Sequence, residues 1–173
     1  MPRSSKKRLV AALTLAVAAV TTVAVIASRS GREFGWRSFL FGAGGYDVVD
    51  GDTIRVAGVG PVRYIGIDAP ERNEPFYDEA RGYNERLLSQ GKMSLGYGRE
   101  RYDRYGRTLA YVYVRTEAGR LVFVNEEMVR AGWAKTLEIP PNTAFAPRFR
   151  RAEEEARRRG RGMWAARRRN GES

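Results

Sequence analysis

Four short segments of the 173-residue chain contain the side chains whose types and spacing could perform chemistry. The first is DGDTIRV, residues 50–56, which places Asp50 and Asp52 on either side of a glycine. Asp-Gly is a common hairpin-turn signal, so turn chemistry alone could explain both acids. Two carboxylates this close can also begin a cation site, because hard divalent metals take oxygen ligands. The local spacing leaves both interpretations open.

The other three segments combine acids with arginine or asparagine. They are VRYIGIDAPE with Arg63, Asp68 and Glu71, RYDRYGRTLAYVY with Asp103, Arg104, Tyr105 and Arg107, and VNEEMVRAGWAK with Asn125 and Glu126. Each has a plain structural interpretation when it is taken alone: a capped turn, a hairpin or a solvated strand residue. Their occurrence together is what points to a functional site.

Composition restricts the chemistry that such a site could perform. The chain contains no cysteine and no histidine. Disulfides, thiolate nucleophiles and cysteine-based zinc sites are therefore excluded, as is the usual general base near neutral pH. Any hydrolysis must depend on carboxylates, arginines, hydroxyls or an oxygen-ligated metal. The formal net charge of +11, from 31 basic and 20 acidic side chains, favours a polyanionic partner, either nucleic acid or an anionic membrane surface.

The two ends of the chain differ from its body in composition. Basic residues precede an uncharged stretch from Leu9 to Ala27, so residues 1–28 are predicted to be a signal peptide or a signal-anchor transmembrane segment. The positive-inside rule then predicts an extracytoplasmic protein, either membrane-anchored through this helix or secreted. Glycine-rich residues 29–45 are predicted to be a linker. The basic tail, residues 167–173, is either a frayed terminus or attracts phosphate or lipid.

The elements of residues 46–166 have to position the site residues. Alternation predicts strands and a period of three to four residues predicts helices: strands YDVV, TIRVAGV, VRYIGI, KMSLGYG, RTLAYVYV and RLVFV, and helices over 78–90, over 125–133 and from Phe145 onward. This order predicts a mixed β-barrel plus α fold, a five-stranded OB-fold barrel with about three helices, preceded by the N-terminal hydrophobic helix.

Local signals make these predictions more specific. Gly91 is predicted to cap the C-terminus of the first helix, and Asn125 the N-terminus of the second. The last helix is predicted to carry one apolar stripe, made of Phe145, Phe149, Ala152 and Ala156. It also carries three possible i,i+4 ion pairs: Glu153–Arg157, Glu154–Arg158 and Glu155–Arg159. Arg63 and Asp68 would point to opposite faces of an ideal strand, so they share a site only if the chain bends near Gly66.

The four segments, with a final GMW at residues 162–164, make the chain resemble the thermonuclease (staphylococcal nuclease-like) family. They occur in the family's order and spacing and span roughly residues 46–164. The resemblance implies an OB-fold barrel and calcium-dependent hydrolysis of phosphodiester bonds in DNA and RNA, with Ca²⁺ as the cofactor. We expect the protein to be a monomer.

The resemblance also implies roles for individual residues. The calcium ligands correspond to two carboxylates and one backbone carbonyl: Asp52, Asp68 and Ala69. The catalytic positions correspond to Glu71, which would activate or orient the attacking water, and to Arg63 and Arg107, which would hold the scissile phosphate. Asp50 corresponds to an acid that supports the ligands from behind. Tyr105 falls beside the nucleotide pocket, and Arg104 is assigned to substrate binding with it.

These assignments agree with the chemistry of phosphodiester hydrolysis. Attack by water adds charge to the equatorial oxygens, and a divalent metal with two arginines would stabilise that charge. Arginine can donate two hydrogen bonds to one phosphate and stays charged at any working pH. A carboxylate can take the proton that histidine takes in other hydrolases. An oxygen-only site with few protein ligands suits the weak calcium binding that is common outside cells.

The chain departs from the family pattern at three places. Ala69 stands where the type member has threonine, which matters little because only the backbone is used there. No aromatic residue lies between Trp133 and Phe145, so base stacking is expected to be weaker or to come from elsewhere. The loop after Glu71 is shorter, and that loop affects how well the carboxylate is placed.

Two other functions would use part of the same features. A non-catalytic, membrane-anchored OB-fold protein could bind nucleic acid with the same basic surface. A structural protein of the membrane surface could use the charge and the N-terminal helix. Neither has a use for the acids Asp52, Asp68 and Glu71, which would repel a polyanion. The acids therefore favour the enzyme.

Overall fold

The computed structural model describes residues 39–41 and 45–165. The predictions for residues 1–28 and for the tail at 167–173 lie outside these ranges. Within them, no helix is long and apolar enough to cross a membrane.

The described residues contain nine strands and three helices. The strands are β1 (Phe39–Phe41), β2 (Tyr46–Val48), β3 (Thr53–Val56), β4 (Gly60–Tyr64), β5 (Ile67–Asp68), β6 (Gly91–Tyr102), β7 (Thr108–Thr116), β8 (Leu121–Phe123) and β9 (Lys135–Thr136). The helices are α1 (Tyr77–Leu88), α2 (Val124–Arg130) and α3 (Ala146–Arg159).

Seven of the strands form one mixed sheet. Its order is β1-β6-β7-β4-β3-β2, with β8 paired to β7 at one side, and β5 pairs with β9 separately. All neighbours are antiparallel except β4 and β7, which are parallel and align Arg63 with Leu109. The mixed sheet and three helices agree with the predicted OB-type fold. Two short strands were missed: β9, and β1, which lies inside the range predicted to be a linker.

A bend divides the predicted strand VRYIGI into β4 and β5. Gly66 lies at this bend with φ +81°, a left-handed conformation that favours glycine. A Cβ atom there would lie 2.5 Å from the ring of Phe149 on α3, so the position also needs a residue without a side chain. The predicted bend near Gly66 is therefore present, and it allows residues before and after it to face the same place.

Helix α3 closes the core with the predicted apolar stripe. Phe145, at its N-cap, and Phe149 pack with the ring of Phe123 at centroid distances of 5.1 and 5.5 Å. Two further stripe residues, Ala152 and Ala156, are buried. Two of the three expected ion pairs are present, Glu153–Arg157 and Glu155–Arg159.

Both predicted helix caps are wrong. Asn125 lies inside α2, which begins one residue earlier, and its buried side chain accepts a hydrogen bond from the Val112 N–H at 2.8 Å and donates one to the Ile65 carbonyl at 2.9 Å. Tertiary partners have therefore taken the place of the local cap. Gly91 begins β6 instead of capping α1, which ends at Leu88 with Ser89 as its C-cap. A Cβ at Gly91 would lie 2.0 Å from the Arg115 carbonyl oxygen, so close strand pairing explains this glycine.

Candidate active site

Arg63 joins the two predicted metal-binding carboxylates. Its Nη1 lies 2.8 Å from Oδ2 of Asp52, and its Nη2 lies 2.8 Å from Oδ1 of Asp68. Nη1 also donates a hydrogen bond to the Ile67 carbonyl at 2.9 Å, so the guanidinium is held across the bend at Gly66. Arg63 is only 8% exposed. The bend thus brings together three side chains that the sequence separates by up to sixteen positions.

Asp52 is the more buried of these carboxylates, with 2% exposure. Its Oδ2 accepts a hydrogen bond from the Ala69 N–H at 2.6 Å, and its Oδ1 accepts one from the Thr53 hydroxyl at 3.1 Å. Burial raises the pKa of Asp52 to about 7, although Arg63 acts in the opposite direction. The Asp52 carboxylate therefore binds either a proton or a cation readily.

The DGD turn is fixed from behind by α1. Asp50 accepts a hydrogen bond from the Asp52 N–H at 2.9 Å, and its own carbonyl accepts one from the Asn84 side chain at 3.0 Å. The Tyr64 hydroxyl donates to the other end of the same Asn84 amide at 3.0 Å. A Cβ on Gly51 would lie 2.6 Å from the Ala69 Cβ, so this glycine is required by close packing. Asp50 thus contacts the backbone of Asp52, and its role toward a cation stays a prediction.

The donor atoms around Asp52 fit a hard cation in type, though not in number. Among the described residues, no group of three or more acids that could hold a metal ion is present. The available oxygens are those of Asp52 and Asp68 and the Ala69 carbonyl, so water would have to supply the remaining ligands. The Asp68 side chain is 51% exposed, which leaves access for solvent. Arg63 already pairs with both carboxylates, so a cation bound by both would compete with it.

Glu71 stands apart from this cluster. It lies in an exposed turn where its N–H donates to Glu74 Oε2 at 2.8 Å and its carbonyl accepts from the Glu74 N–H at 2.9 Å. Within residues 45–165, the Glu71 carboxylate itself has no hydrogen bond or ion pair. The backbone of Glu71 is thus fixed by Glu74, while its carboxylate is free to accept a proton from water.

Arg107 is held by an acid that the sequence did not assign a role. Asp103 Oδ2 accepts a hydrogen bond from Arg107 Nε at 2.7 Å, and Asp103 Oδ1 accepts from the N–H groups of Tyr105 and Arg107, both at 2.9 Å. Gly106 completes this turn with φ +78°. Burial alone would raise the pKa of Asp103, but the hydrogen bonds from Arg107 and Tyr105 outweigh it and lower the pKa. Binding through Nε leaves the two terminal nitrogens of Arg107 available.

A cleft of about 470 Å³ contains four of the predicted site residues, Arg63, Arg104, Tyr105 and Arg107. The parallel register supports a common orientation, because Arg63 is aligned with Leu109 and Arg107 precedes Leu109 by two residues. An apolar wall of the cleft comes from the exposed side chains of Leu137 and Ile139. The five remaining predicted residues are Asp50, Asp52, Asp68, Ala69 and Glu71. They do not line the cleft, although Arg63 connects it with Asp52 and Asp68.

Three supporting residues were missed by sequence reasoning. Asp103 could have been found, because an aspartate followed three residues later by glycine is a turn signal in which the side chain binds nearby N–H groups. Asn84 and Asn125 gave no such signal, since a single asparagine in a helix does not indicate which distant backbone groups it satisfies.

The fold and the site define a class: an OB-type protein whose cleft offers arginines to an anionic group, with carboxylates behind one of them. Residues 61–166 match the family described as "Staphylococcal nuclease homologue". The chain belongs to this family of nucleic-acid-hydrolysing enzymes.

Three relatives illustrate the match. The chain is 35% identical over 127 residues to the thermonuclease of Staphylococcus hyicus. This alignment covers 68% of the present chain and 72% of the thermonuclease. It is 35% identical over 128 residues to the SPbeta prophage-derived endonuclease YokF of Bacillus subtilis, and 34% identical over 128 residues to endonuclease YncB of the same organism. These alignments span 42% of YokF and 58% of YncB, so much of each of those two proteins has no counterpart in the alignment.

Proposed function

We propose that the protein is a calcium-dependent nuclease that hydrolyses phosphodiester bonds of DNA and RNA. The observation that carries the proposal is the position of Arg63. It lines the cleft beside Arg107 and at the same time pairs with the two carboxylates Asp52 and Asp68. A phosphate-binding residue and a cation-binding pair are thereby in direct contact.

The two arginines bind the scissile phosphate. Arg107 donates from its terminal nitrogens, because its Nε is occupied by Asp103. Arg63 donates to phosphate only with the nitrogens that it releases from Asp52 and Asp68. Both stay protonated at any working pH, so they stabilise the charge that develops on the phosphate oxygens.

Glu71 accepts the proton of the attacking water. Its free, exposed carboxylate is suited to this role, since a general base needs an unoccupied oxygen within hydrogen-bond reach of the water. Calcium, when held by Asp52, Asp68 and the Ala69 carbonyl, would supply the positive charge that polarises the phosphate and lowers the pKa of water. Tyr105 and Arg104 contact the substrate in the cleft, which they line together with Arg63 and Arg107.

The test uses the purified full-length chain with single-stranded DNA and RNA. We expect cleavage with millimolar calcium, and no cleavage after addition of a chelator. Glu71→Ala and Arg107→Ala should slow cleavage by orders of magnitude with an unchanged circular dichroism spectrum. Binding of nucleic acid without cleavage at millimolar calcium would contradict the proposal and favour the non-catalytic OB-fold protein.

We also propose that the protein acts outside the cytoplasm as a monomer, anchored by residues 1–28 or released after their removal. The support is the sequence of that segment: basic residues followed by an uncharged apolar stretch. Cell fractionation with an antibody, combined with the N-terminal sequence of the mature protein, separates the two fates. Recovery of the uncleaved chain in the cytoplasm would contradict both.

A further inference from the structure

We propose that the turn between β6 and β7 carries a second binding surface for single-stranded nucleic acid, which extends the cleft outward. We call this surface the tyrosine rim and define it as Arg101, Tyr102, Arg104 and Tyr105. Arg101 and Tyr102 have no role in the function proposed above. The inference rests on the proposed function only for the direction in which the nucleic-acid strand runs from the cleft. The rim binds nucleic acid whether or not cleavage follows.

Exposure of aromatic rings distinguishes the rim. Five large apolar or aromatic side chains of the described residues are exposed, and the two aromatic ones are Tyr102 at 57% and Tyr105 at 68%. They lie three residues apart on the same turn. Tyr105 lines the cleft, as does Asp103, the residue that follows Tyr102. One exposed ring therefore lines the cleft, and the other lies three residues before it in the chain.

The arginines of the rim differ from those of α3 in their partners. Arg148, Arg150 and Arg157 each form an ion pair with a glutamate. In the described part of the chain, Arg101 and Arg104 form no ion pair with an acid.

The rim arginines contact tyrosine rings instead. The Arg101 guanidinium lies 4.1 Å from the centroid of the Tyr97 ring, and that of Arg104 lies 4.8 Å from the centroid of the Tyr105 ring. An arginine held against a ring keeps its charge for a phosphate, although Arg104 Nη2 also donates a hydrogen bond to the Tyr105 hydroxyl at 2.6 Å. Asp103 is already neutralised by Arg107, so the positive charge of the rim is not compensated by it.

The backbone of the rim is fixed before any ligand arrives. The Asn142 side chain accepts from the Glu100 N–H at 3.1 Å and donates to the Glu100 carbonyl at 2.9 Å. Tyr102 is paired with Thr108, and the Asp103 N–H donates to the Arg107 carbonyl at 3.0 Å. Little ordering is therefore required on binding, which favours affinity.

Single-stranded nucleic acid is the partner that fits this chemistry. Exposed rings stack with unpaired bases of any sequence, while arginines bind the phosphates between them. A duplex hides the faces of its bases and would contact only the arginines. On this proposal, a nucleic-acid strand whose phosphate lies between Arg63 and Arg107 passes over Tyr105 in the cleft and then stacks a base on Tyr102.

The experiment measures binding, without turnover, of the full-length chain to a fluorescent ten-residue oligothymidylate in the presence of a chelator. Stacking of one base is worth about 1–3 kcal/mol, so Tyr102→Ala should weaken binding by about 5- to 140-fold. Tyr102→Phe should keep most of the affinity, because its ring can still stack. Duplex DNA of the same length should bind Tyr102→Ala and the parent protein equally well.

The charge of the rim has its own readout. Arg101→Ala should reduce the slope of log affinity against log salt by about 0.7. Arg120→Ala is the matched control, since Arg120 is exposed and follows the opposite end of β7, which is nine residues and roughly 30 Å long. This control should leave both affinity and slope unchanged.

Several outcomes would contradict the proposal that the tyrosine rim binds single-stranded nucleic acid. They are binding of Tyr102→Ala within twofold of the parent, equal losses for Tyr102→Ala and Tyr102→Phe, or equal salt slopes for Arg101→Ala and Arg120→Ala. Loss of vesicle binding by Tyr102→Ala, with unchanged oligothymidylate binding, would reassign the surface to a membrane. If the protein binds oligothymidylate through Tyr102 but cleaves nothing, the rim stands and the proposed nuclease function fails.

Discussion

At the scale of single residues, Arg63 pairs with two carboxylates and also lines the cleft. It is buried, and each of its terminal nitrogens pairs with a different aspartate. A calcium ion bound by Asp52 and Asp68 would supply the positive charge that Arg63 now places beside these carboxylates. The cation and the arginine therefore compete for these oxygens until a phosphate offers Arg63 another anionic partner.

This competition leads to a prediction for Arg63→Ala. At a pH where Asp52 is ionised, removal of the arginine leaves two uncompensated carboxylates, one of them buried, so the metal-free variant should be destabilised by roughly 3–5 kcal/mol. Calcium should then raise its unfolding temperature by more than it raises that of the parent, while cleavage is lost. Differential scanning calorimetry with and without calcium measures this. Arg55→Ala, an exposed arginine on β3, is the control. A smaller calcium effect in Arg63→Ala would contradict the competition.

A second prediction concerns pH and Asp52. The pKa of about 7 lies above the ordinary value of 3.8, so the folded protein holds a proton that the unfolded chain has released. The stability that this proton contributes is complete below about pH 4 and is lost as the pH rises through 7. A cation must displace the same proton, so calcium affinity should fall by about tenfold for each unit below pH 7. Calorimetric titration from pH 5 to 8 tests this, and affinity that is constant over the range would refute it.

At the scale of elements, the turn between β6 and β7 positions Arg107 through Asp103. We predict that Asp103→Ala lowers kcat by about ten- to a hundredfold with a smaller change in KM, since misplacement of a group by about 1 Å has effects of this size. Asp103→Asn keeps an oxygen for the N–H groups of Tyr105 and Arg107, so the turn should survive and part of the rate should return. Steady-state kinetics measure both. Asp47→Asn on β2, an exposed acid, serves as the comparison.

Helix α2 is fastened to the sheet by Asn125. Its amide bonds the Val112 N–H of β7 and the Ile65 carbonyl beside the bend. Asn125→Leu would leave both backbone groups buried without partners, at about 1–3 kcal/mol each, so the free energy of unfolding should fall by about 2–5 kcal/mol. Urea denaturation measures the loss, with Gln90→Ala as an exposed control. A loss below 1 kcal/mol would show that water replaces the amide.

The elements also show how far the sequence could predict this fold. Strands with clear alternation and the apolar stripe of α3 were found because their periods are local properties. β9 was missed because two residues have no period, and its pairing with β5 depends on the bend at Gly66. Asn125 was misassigned because its type favours a helix cap, whereas its partners lie thirteen and sixty positions away.

The same limit applies to the site. The residues proposed for it came from motifs, and the bend that joins Arg63 with Asp68 followed from their spacing. That Arg63 would pair with both carboxylates could not be predicted, because it depends on how β3, β4 and β5 meet. The hydrogen bond from Arg107 to Asp103 depends in turn on the left-handed backbone conformation of Gly106.

At the scale of the whole molecule, the distribution of charge matters more than its sum. Arginines of α3 are largely engaged with glutamates, as in Arg148–Glu126 and Arg157–Glu153, and contribute little net field at short range. At the cleft, Arg63 and Arg107 are also paired with acids, but in the described residues the rim arginines Arg101 and Arg104 form no ion pair. Nucleic acid would therefore be attracted to one region of a protein that is basic overall, which is the condition for electrostatic steering.

Gly66 offers no side chain to a substrate, yet it lies where α3 packs against the bend that positions Arg63. A mutational scan scored by activity would rank this position with the catalytic residues, since every side chain larger than hydrogen presses on Phe149 and strains the backbone at once. The same scan scored by protein abundance would separate them, because Glu71 variants would accumulate normally and Gly66 variants would not. In evolutionary terms the position is constrained by architecture, and it would remain glycine in a descendant that had lost all nuclease activity but kept the fold.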